Sequence, residues 1–258
     1  MGKKTYRYIY GPVPSWRLGS SLGIDPISKN EKICTFDCIY CQIGKTRCFT
    51  SERKTFVPAE NMIKELNSLP SLKIDYITFS GTGEPTLAEN LGEMIKAVRK
   101  FRKEKIAVLT NSSLMYRKDV ARDLSLADLV VCKLDAPSQY VFELVNAPLK
   151  GLKIDTIINA IKDFKSAYKG KLALQIMFVE ENMVYASEIA SMTKYIGPDE
   201  VQLNTPLRPC GVKPLTKDEM VALERYFSGL NVLSVYKTGK KNVKPISSKD
   251  TLKRRGKA

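Results

Sequence analysis

The sequence predicts an α/β fold, a partial (β/α)6 barrel of parallel strands, on three observations. Apolar runs alternate with amphipathic stretches from residue 20 to residue 236, the pattern of βαβ units around a parallel sheet. Several strands carry polar groups on one face: Tyr76, Thr78 and Ser80; Lys133 and Asp135; Gln202 and Asn204. A doubly wound sheet buries both faces and keeps them apolar, whereas polar groups near the C-terminal ends of strands mark the active face of a barrel. The length of 258 residues, 43% of them apolar, suits one large α/β domain or two small ones.

The elements follow in order. Leu22 to Ile27 reads as the first strand and leads toward a cysteine-rich loop. Pro58 to Leu69 has Met62, Ile63, Leu66 and Leu69 at helical spacing. Ile74 to Ser80 is the second strand, Leu91 to Arg102 a helix, and Ile106 to Asn111 the third strand. Arg117 to Leu124 is a short helix and Leu129 to Asp135 the fourth strand. Ile154 to Tyr168 is a helix, Leu172 to Val179 the fifth strand, Tyr185 to Ile196 a helix and Val201 to Thr205 the sixth strand. Thr216 to Phe227 is the last helix, with Thr216 as N-cap and Glu219 placed to complete a capping box. Asn231 to Tyr236 is a candidate edge strand. The expected organisation is a basic N-terminal extension (1–19), the barrel (20–236) and a basic C-terminal tail (237–258).

Chemistry concentrates in Cys34-Thr35-Phe36-Asp37-Cys38-Ile39-Tyr40-Cys41, a C-x3-C-x2-C loop. It offers three thiolates where a four-iron cluster has four corners, which leaves one iron open to a small ligand. Ferredoxin-type runs differ in spacing and carry a fourth cysteine. A structural zinc site needs four Cys or His ligands; the chain has no histidine, so Cys48, Cys132 or Cys210 would have to complete one. A disulfide framework does not suit a chain of this length with six cysteines and no apolar leader after its N-terminal charges. Ser80-Gly81-Thr82-Gly83-Glu84-Pro85-Thr86, after the second strand, is a glycine-rich turn whose backbone can approach a ligand; taken alone, such a turn is more often just a tight βα turn.

Together these residues resemble the radical S-adenosylmethionine (radical SAM) superfamily. The resemblance spans residues 20–236 and extends to Gly11-Pro12-Val13-Pro14-Ser15 with Leu18-Gly19, Leu109 to Ser112, Lys133 to Ala136, and Asn204-Thr205-Pro206 with Arg208-Pro209. Those runs look like short single-domain proteins related to the tRNA wyosine-base synthases. The resemblance implies a [4Fe–4S] cluster on Cys34, Cys38 and Cys41, with S-adenosylmethionine on the open iron. One electron would cleave the sulfonium to methionine and a 5′-deoxyadenosyl radical that abstracts hydrogen from substrate. It also implies an electron donor such as a ferredoxin or flavodoxin. Tyr40 matches the aromatic placed against adenine. Thr82, Gly83 and Glu84 match the turn that holds the methionine amino group, with Thr82 where a glycine is usual. Asn111, Ser112, Lys133 and Asp135 match positions that reach the ribose or the methionine carboxylate; the alternative for Lys133 is an ion pair with Asp135 inside the barrel. Cys132 alternates with Lys133 and reads as a buried small hydrophobe. Cys210 and Cys48 are candidate catalytic thiols, or incidental loop cysteines.

The net charge of +15 lies at the ends of the chain: residues 1–56 carry ten Lys/Arg against four Asp/Glu, and residues 237–258 nine against one. Basic ends suit RNA phosphates, or simply a solvated tail. A tRNA substrate is therefore one expectation. Modification of a protein, as in glycyl-radical activases, is a second, and a non-enzymatic nucleic-acid module with a structural cluster a third. The chain lacks the three further upstream cysteines of the wyosine synthases, which puts their pyruvate-dependent reaction in doubt. With no imidazole, proton transfers fall to Lys, Tyr, Cys, carboxylates or water. No apolar stretch approaches the roughly 20 residues that span a bilayer, and iron-holding thiolates need a reducing compartment, so the chain reads as soluble and cytoplasmic; a monomer is expected.

Overall fold

The computed structural model describes residues 5–239 and 241–256. The chain opens with an antiparallel hairpin, β1 (Ile9–Ser15) and β2 (Gly19–Ile24). A short parallel pair, β3 (Ile33–Cys34) and β4 (Cys48–Phe49), brackets the cysteine loop. The βα rhythm follows as α1 (Ala59–Asn67), β5 (Tyr76–Phe79), a 3-10 turn at Pro85–Leu87, α2 (Leu91–Phe101), β6 (Lys105–Thr110), α3 (Lys118–Leu124) and β7 (Leu129–Lys133). Two helices, α4 (Gln139–Asn146) and α5 (Ile154–Ala167), precede β8 (Lys171–Met177). The rest is α6 (Glu180–Met183), α7 (Ala186–Ile196), β9 (Glu200–Asn204), α8 (Lys217–Glu224), β10 (Val232–Ser234) and α9 (Ser248–Arg255).

One curled sheet in the order β1-β2-β5-β6-β7-β8-β9-β10 forms an open half-barrel, parallel throughout except for β1. Strand alternation divides the core in two, because successive side chains point to opposite faces. The outer cluster, between sheet and helices, holds Ile77, Phe79, Val108, Val130, Cys132 and Leu174 among many others. A small inner cluster of Leu18, Ala107, Leu129, Val131 and Ala173 fills the concave face. Lys133 shares the inner face with Val131, and Cys132 points outward.

The sheet has seven parallel strands and an antiparallel edge where six strands and an edge strand were expected. The added strand lies in the segment read as an N-terminal extension, and the basic tail carries α9, packed on β1. Hydrophobic periodicity misses α9 because hydrogen bonds anchor it. Asp250 accepts from the Tyr6 amide at 3.0 Å, Thr251 from the Gly11 amide at 3.0 Å, and the Ile246 amide donates to the Gly11 carbonyl at 2.6 Å. Buried Arg254 pairs with fully buried Asp25 at 3.4 Å. These partners are more than 200 positions apart in sequence, beyond the reach of any local pattern.

Arg53 braces the segment after β5. Its guanidinium donates to the carbonyls of Thr86 and Ala88 and pairs with Asp119 at 2.7 Å and Asp123 at 2.6 Å. The hydrogen bond from Arg117, with Arg53 behind it, holds the Asp119 carboxyl well below the usual carboxylate range. A depressed pKa adds stability above the unfolded-state value and loses it as the pH falls through the folded value. Asp119→Asn should therefore lower stability near neutral pH by about 1 kcal/mol, a figure that allows for solvent screening. The gap should close below about pH 4, where aspartate begins to titrate in the unfolded chain. Urea midpoints measured down the acid limb check this; a gap constant with pH contradicts it.

Candidate active site

The cysteine loop is clamped between two elements. On one side, the Ile33 amide donates to the Thr82 carbonyl at 3.3 Å and the Glu84 amide to the Ile33 carbonyl at 3.1 Å. The approach is so close that a Cβ on Gly83 would land on the Ile33 carbonyl oxygen. On the other side, the loop caps α4. The Asp37 amide donates to the carbonyls of Asn146 and Ala147, both at 3.0 Å, and the Ile39 amide to Val145 at 3.1 Å. These are the orphan acceptors every helix C-terminus leaves, and Ala147, at φ 40°, closes the helix in the left-handed region.

Cys34, Cys38 and Cys41 then face one cavity, whose wall includes Gly83, Asn111 and Lys133. Donors point at the sulfurs: the Phe36 amide (3.5 Å) and Asn111 Nδ2 (3.6 Å) at Cys34, and Asn146 Nδ2 (3.4 Å) at Cys38. Burial, with Glu84 next, pushes the Cys34 thiol up to about 12; burial, with Asp135 next, pushes Cys38 up to about 11. Metal coordination must therefore displace protons from these sulfurs. Buried Lys32 donates to the Gly44 carbonyl at 3.1 Å and pairs with Asp37 at 3.6 Å; burial works against its charge, and the three cysteine sulfurs favour it once they are deprotonated.

This donor set fits an iron–sulfur cubane. All three thiols are free of disulfides and share one cavity, and Cys34 and Cys38 have amide donors of the kind that tune cluster potentials. Among the described residues, no three Cys, Asp or Glu side chains are gathered tightly enough for a single metal ion. Cubane corners spread their ligands more widely.

Glu84 is a brace. Its Oε1 accepts from the Thr86 amide (3.0 Å), Thr86 Oγ1 (2.7 Å) and Thr110 Oγ1 (2.7 Å), and its Oε2 from the Asn111 amide (2.7 Å). Burial raises its pKa against these bonds. Its side chain is committed to the turn, and the backbone of Gly81 and Gly83 is left facing the cavity. Thr82 Oγ1 donates to Asp25 at 2.8 Å and points away from the cavity. Asn111 faces the cavity and also donates to Thr35 Oγ1 at 2.7 Å.

Asp135 anchors a buried knot. It accepts from the Tyr40 hydroxyl, Asn146 Nδ2 (2.8 Å), Lys133 Nζ (3.1 Å) and the Met177 amide (2.7 Å). Lys133 lies 4.7 Å over the Tyr40 ring and still reaches the cavity. The Lys133–Asp135 ion pair and a place for Lys133 at the cavity therefore coexist. Burial and the Asp135 charge keep Tyr40 a neutral donor. Tyr40, Asp135 and Ser112 stand behind the cavity wall; Ser112, at φ 67°, neighbours Cys132. Cys48 is exposed on β4, and Cys210 donates to the Val212 carbonyl at 3.3 Å; neither lines the cavity.

Sequence reasoning missed Lys32, Asp25 and Asn146. For Asn146 a signal existed: Ser138 caps a run with Val141, Phe142 and Val145 on one helical face.

An open half-barrel with three cysteines on a C-x3-C-x2-C loop at its mouth defines a cluster-bearing α/β fold. The family model of the Radical SAM superfamily matches residues 32–192, and the chain belongs to that superfamily. Its members use a [4Fe–4S] cluster and S-adenosylmethionine. The chain is 38% identical to a UPF0026 protein of Synechocystis sp., over 83% of its own length and 80% of the relative's. It is 34% identical to a GTPase Obg of Brachyspira hyodysenteriae over 96% of its length, but spans only 38% of that GTPase. Among solved structures it is similar to TYW1 with a lysine-pyruvate adduct bound (TM-score 0.63, 16% identity, 82% of this chain and 74% of that one). It is also similar to Streptococcus suis SuiB bound to S-adenosylmethionine (0.62, 16%, 80% and 48%). At these identities the structures share the fold. Among the described residues, no helix is long and apolar enough to cross a membrane.

Proposed function

We propose that this chain is a radical SAM enzyme that modifies RNA, with tRNA the expected substrate. The observation that carries the reading is the meeting of the two basic chain ends beside the cysteine loop. α9 packs on β1, and a Cβ on Gly256, just past α9, would collide with the Gln42 carbonyl, one residue after Cys41. Lys244, Lys249 and Lys253 are exposed on or near α9, placed to meet phosphates at the mouth.

In this reading Cys34, Cys38 and Cys41 hold the cluster. The backbone of the Gly81–Glu84 turn takes the amino group of S-adenosylmethionine, and Asn111 and Lys133 take its ribose or carboxylate. Tyr40 and Asp135 are positioning residues: Asp135 fixes Lys133 toward the cavity and Tyr40 in the cysteine loop. When bound, cluster and S-adenosylmethionine supply a 5′-deoxyadenosyl radical that abstracts hydrogen.

The test is anaerobic reconstitution with dithionite, S-adenosylmethionine and total tRNA, followed by mass analysis of nucleosides. A mass change in one nucleoside is expected. Release of 5′-deoxyadenosine with no RNA change contradicts RNA and favours a protein substrate. Independently, replacing Lys244, Lys249 and Lys253 together with Gln should weaken tRNA binding and reduce its salt slope by about one for each phosphate those lysines neutralise. An unchanged slope contradicts the role given to α9.

A further inference from the structure

Three arginines from distant parts of the chain converge at the open side of the half-barrel. Arg17, on the β1–β2 turn, donates to Gln202 Oε1 on β9 at 3.3 Å. Arg208, after β9, donates to Gln42 Oε1 and to the Arg255 carbonyl, both at 3.1 Å. Arg255 ends α9. Arg208 thus ties the β9 loop and the C-terminal helix to the residue after Cys41, Arg17 ties the hairpin to β9, and the charges of Arg255 and Arg208 are near enough to act on Arg17.

Among the described residues, none of the three has a carboxylate partner. Glu200, the acid whose charge acts on Arg17, is already engaged: it pairs with Lys171 at 2.5 Å and accepts from Gln202 at 2.8 Å. Arg17 Nε is buried with no hydrogen-bond partner. Burial first, then the neighbouring guanidiniums, lower Arg17 and Arg255 to about 10. They stay charged near neutral pH and are half-buried, so Glu200 and water offset only part of their mutual repulsion, and a bound anion would relieve the rest. None of the three lines the cysteine cavity, so the S-adenosylmethionine carboxylate does not account for them.

We propose that Arg17, Arg208 and Arg255 form a binding site for a phosphate group of the substrate at the lateral mouth of the half-barrel. Planar guanidinium forks match phosphate oxygens in pairs, and three cations outmatch the single charge of a carboxylate. The site deepens the RNA reading and rests on it only for what carries the phosphate. A phosphate held here stands next to the loop that bears the three cysteines, which would position the attached nucleoside for hydrogen abstraction.

Equilibrium dialysis of the anaerobically reconstituted protein with radiolabelled inorganic phosphate tests this. The wild type should bind phosphate and discriminate against acetate. Arg17→Gln and Arg208→Gln should each weaken phosphate at least tenfold, with Arg208→Lys intermediate. Thermal melts guard against misfolding: in phosphate-free buffer Arg17→Gln should melt no lower than wild type, because repulsion is relieved, and added phosphate should raise the wild-type midpoint but neither Gln variant's. Displacement by an RNA oligonucleotide supports both site and RNA reading. Displacement by a nucleoside monophosphate but not by RNA keeps the site and ends the RNA reading. No phosphate binding by the wild type, equal binding by both variants, or equal binding of acetate overturns the proposal.

Discussion

Gly83→Ala is expected to cost about 3 kcal/mol, since a methyl forced into a packed contact adds strain and a buried pair of hydrogen bonds opens with it. The new Cβ would fall on the Ile33 carbonyl oxygen and near its carbon, both backbone atoms with no side-chain freedom to yield. Relief requires β3 to move away from the turn after β5, which breaks the Ile33–Thr82 and Glu84–Ile33 bonds. Cys34 sits on β3, so the iron retained after reconstitution should fall to a minor fraction of wild type. Gly239→Ala, where a Cβ meets nothing within 4 Å, is the control and should change neither midpoint nor iron. Urea unfolding and iron analysis read both effects. Wild-type iron content in Gly83→Ala would show that the clamp does not position the cysteines.

Asp135→Asn is expected to cost about 3 kcal/mol, the scale for a buried ion pair that loses one partner. The carboxylate serves four donors at once. An amide offers one acceptor oxygen and brings donors of its own, so Lys133 loses its counter-charge and at least one of Tyr40, Asn146 and the Met177 amide goes unpaired. Tyr40 lies between Cys38 and Cys41, and Asn146 also points at the Cys38 sulfur, so the damage should reach the cluster. The cluster midpoint potential of the reconstituted variant should shift, whereas a purely structural loss would leave it unmoved. Lys133→Met separates the charge effect: it leaves Asp135 with its other three donors and should perturb the potential less.

Much of this was legible locally. The βα rhythm places β5 to β9 within two or three residues of their observed bounds, because apolar periodicity is a local signal and these strands are long enough to show it. Thr216 and Glu219 form the expected reciprocal cap on α8. The cysteine loop and the turn at Gly81–Glu84 were legible because their chemistry requires particular residues at fixed spacing. The joins between them were not. β1 is a Pro- and Gly-containing strand that is stable only against β2 and α9. α9 has no apolar stripe and is held by Asp25, Tyr6 and Gly11. The arginine group depends on Arg17 reaching Gln202 and on Arg208 reaching Gln42 and Arg255, contacts that no window along the chain brings together. Glu84 and Tyr40 were recognisable by motif, but their engagement as braces follows from partners on other strands.

The central claim is that Cys34, Cys38 and Cys41 hold a [4Fe–4S] cluster with one iron open to S-adenosylmethionine. Electron paramagnetic resonance of the anaerobically reconstituted, dithionite-reduced protein, recorded before and after S-adenosylmethionine is added, tests it most directly. The expected result is a reduced-cluster signal whose g values shift on addition, and no such signal once any of the three cysteines is replaced by Ala. Bound zinc with no such signal, or a cluster signal indifferent to S-adenosylmethionine, would contradict it.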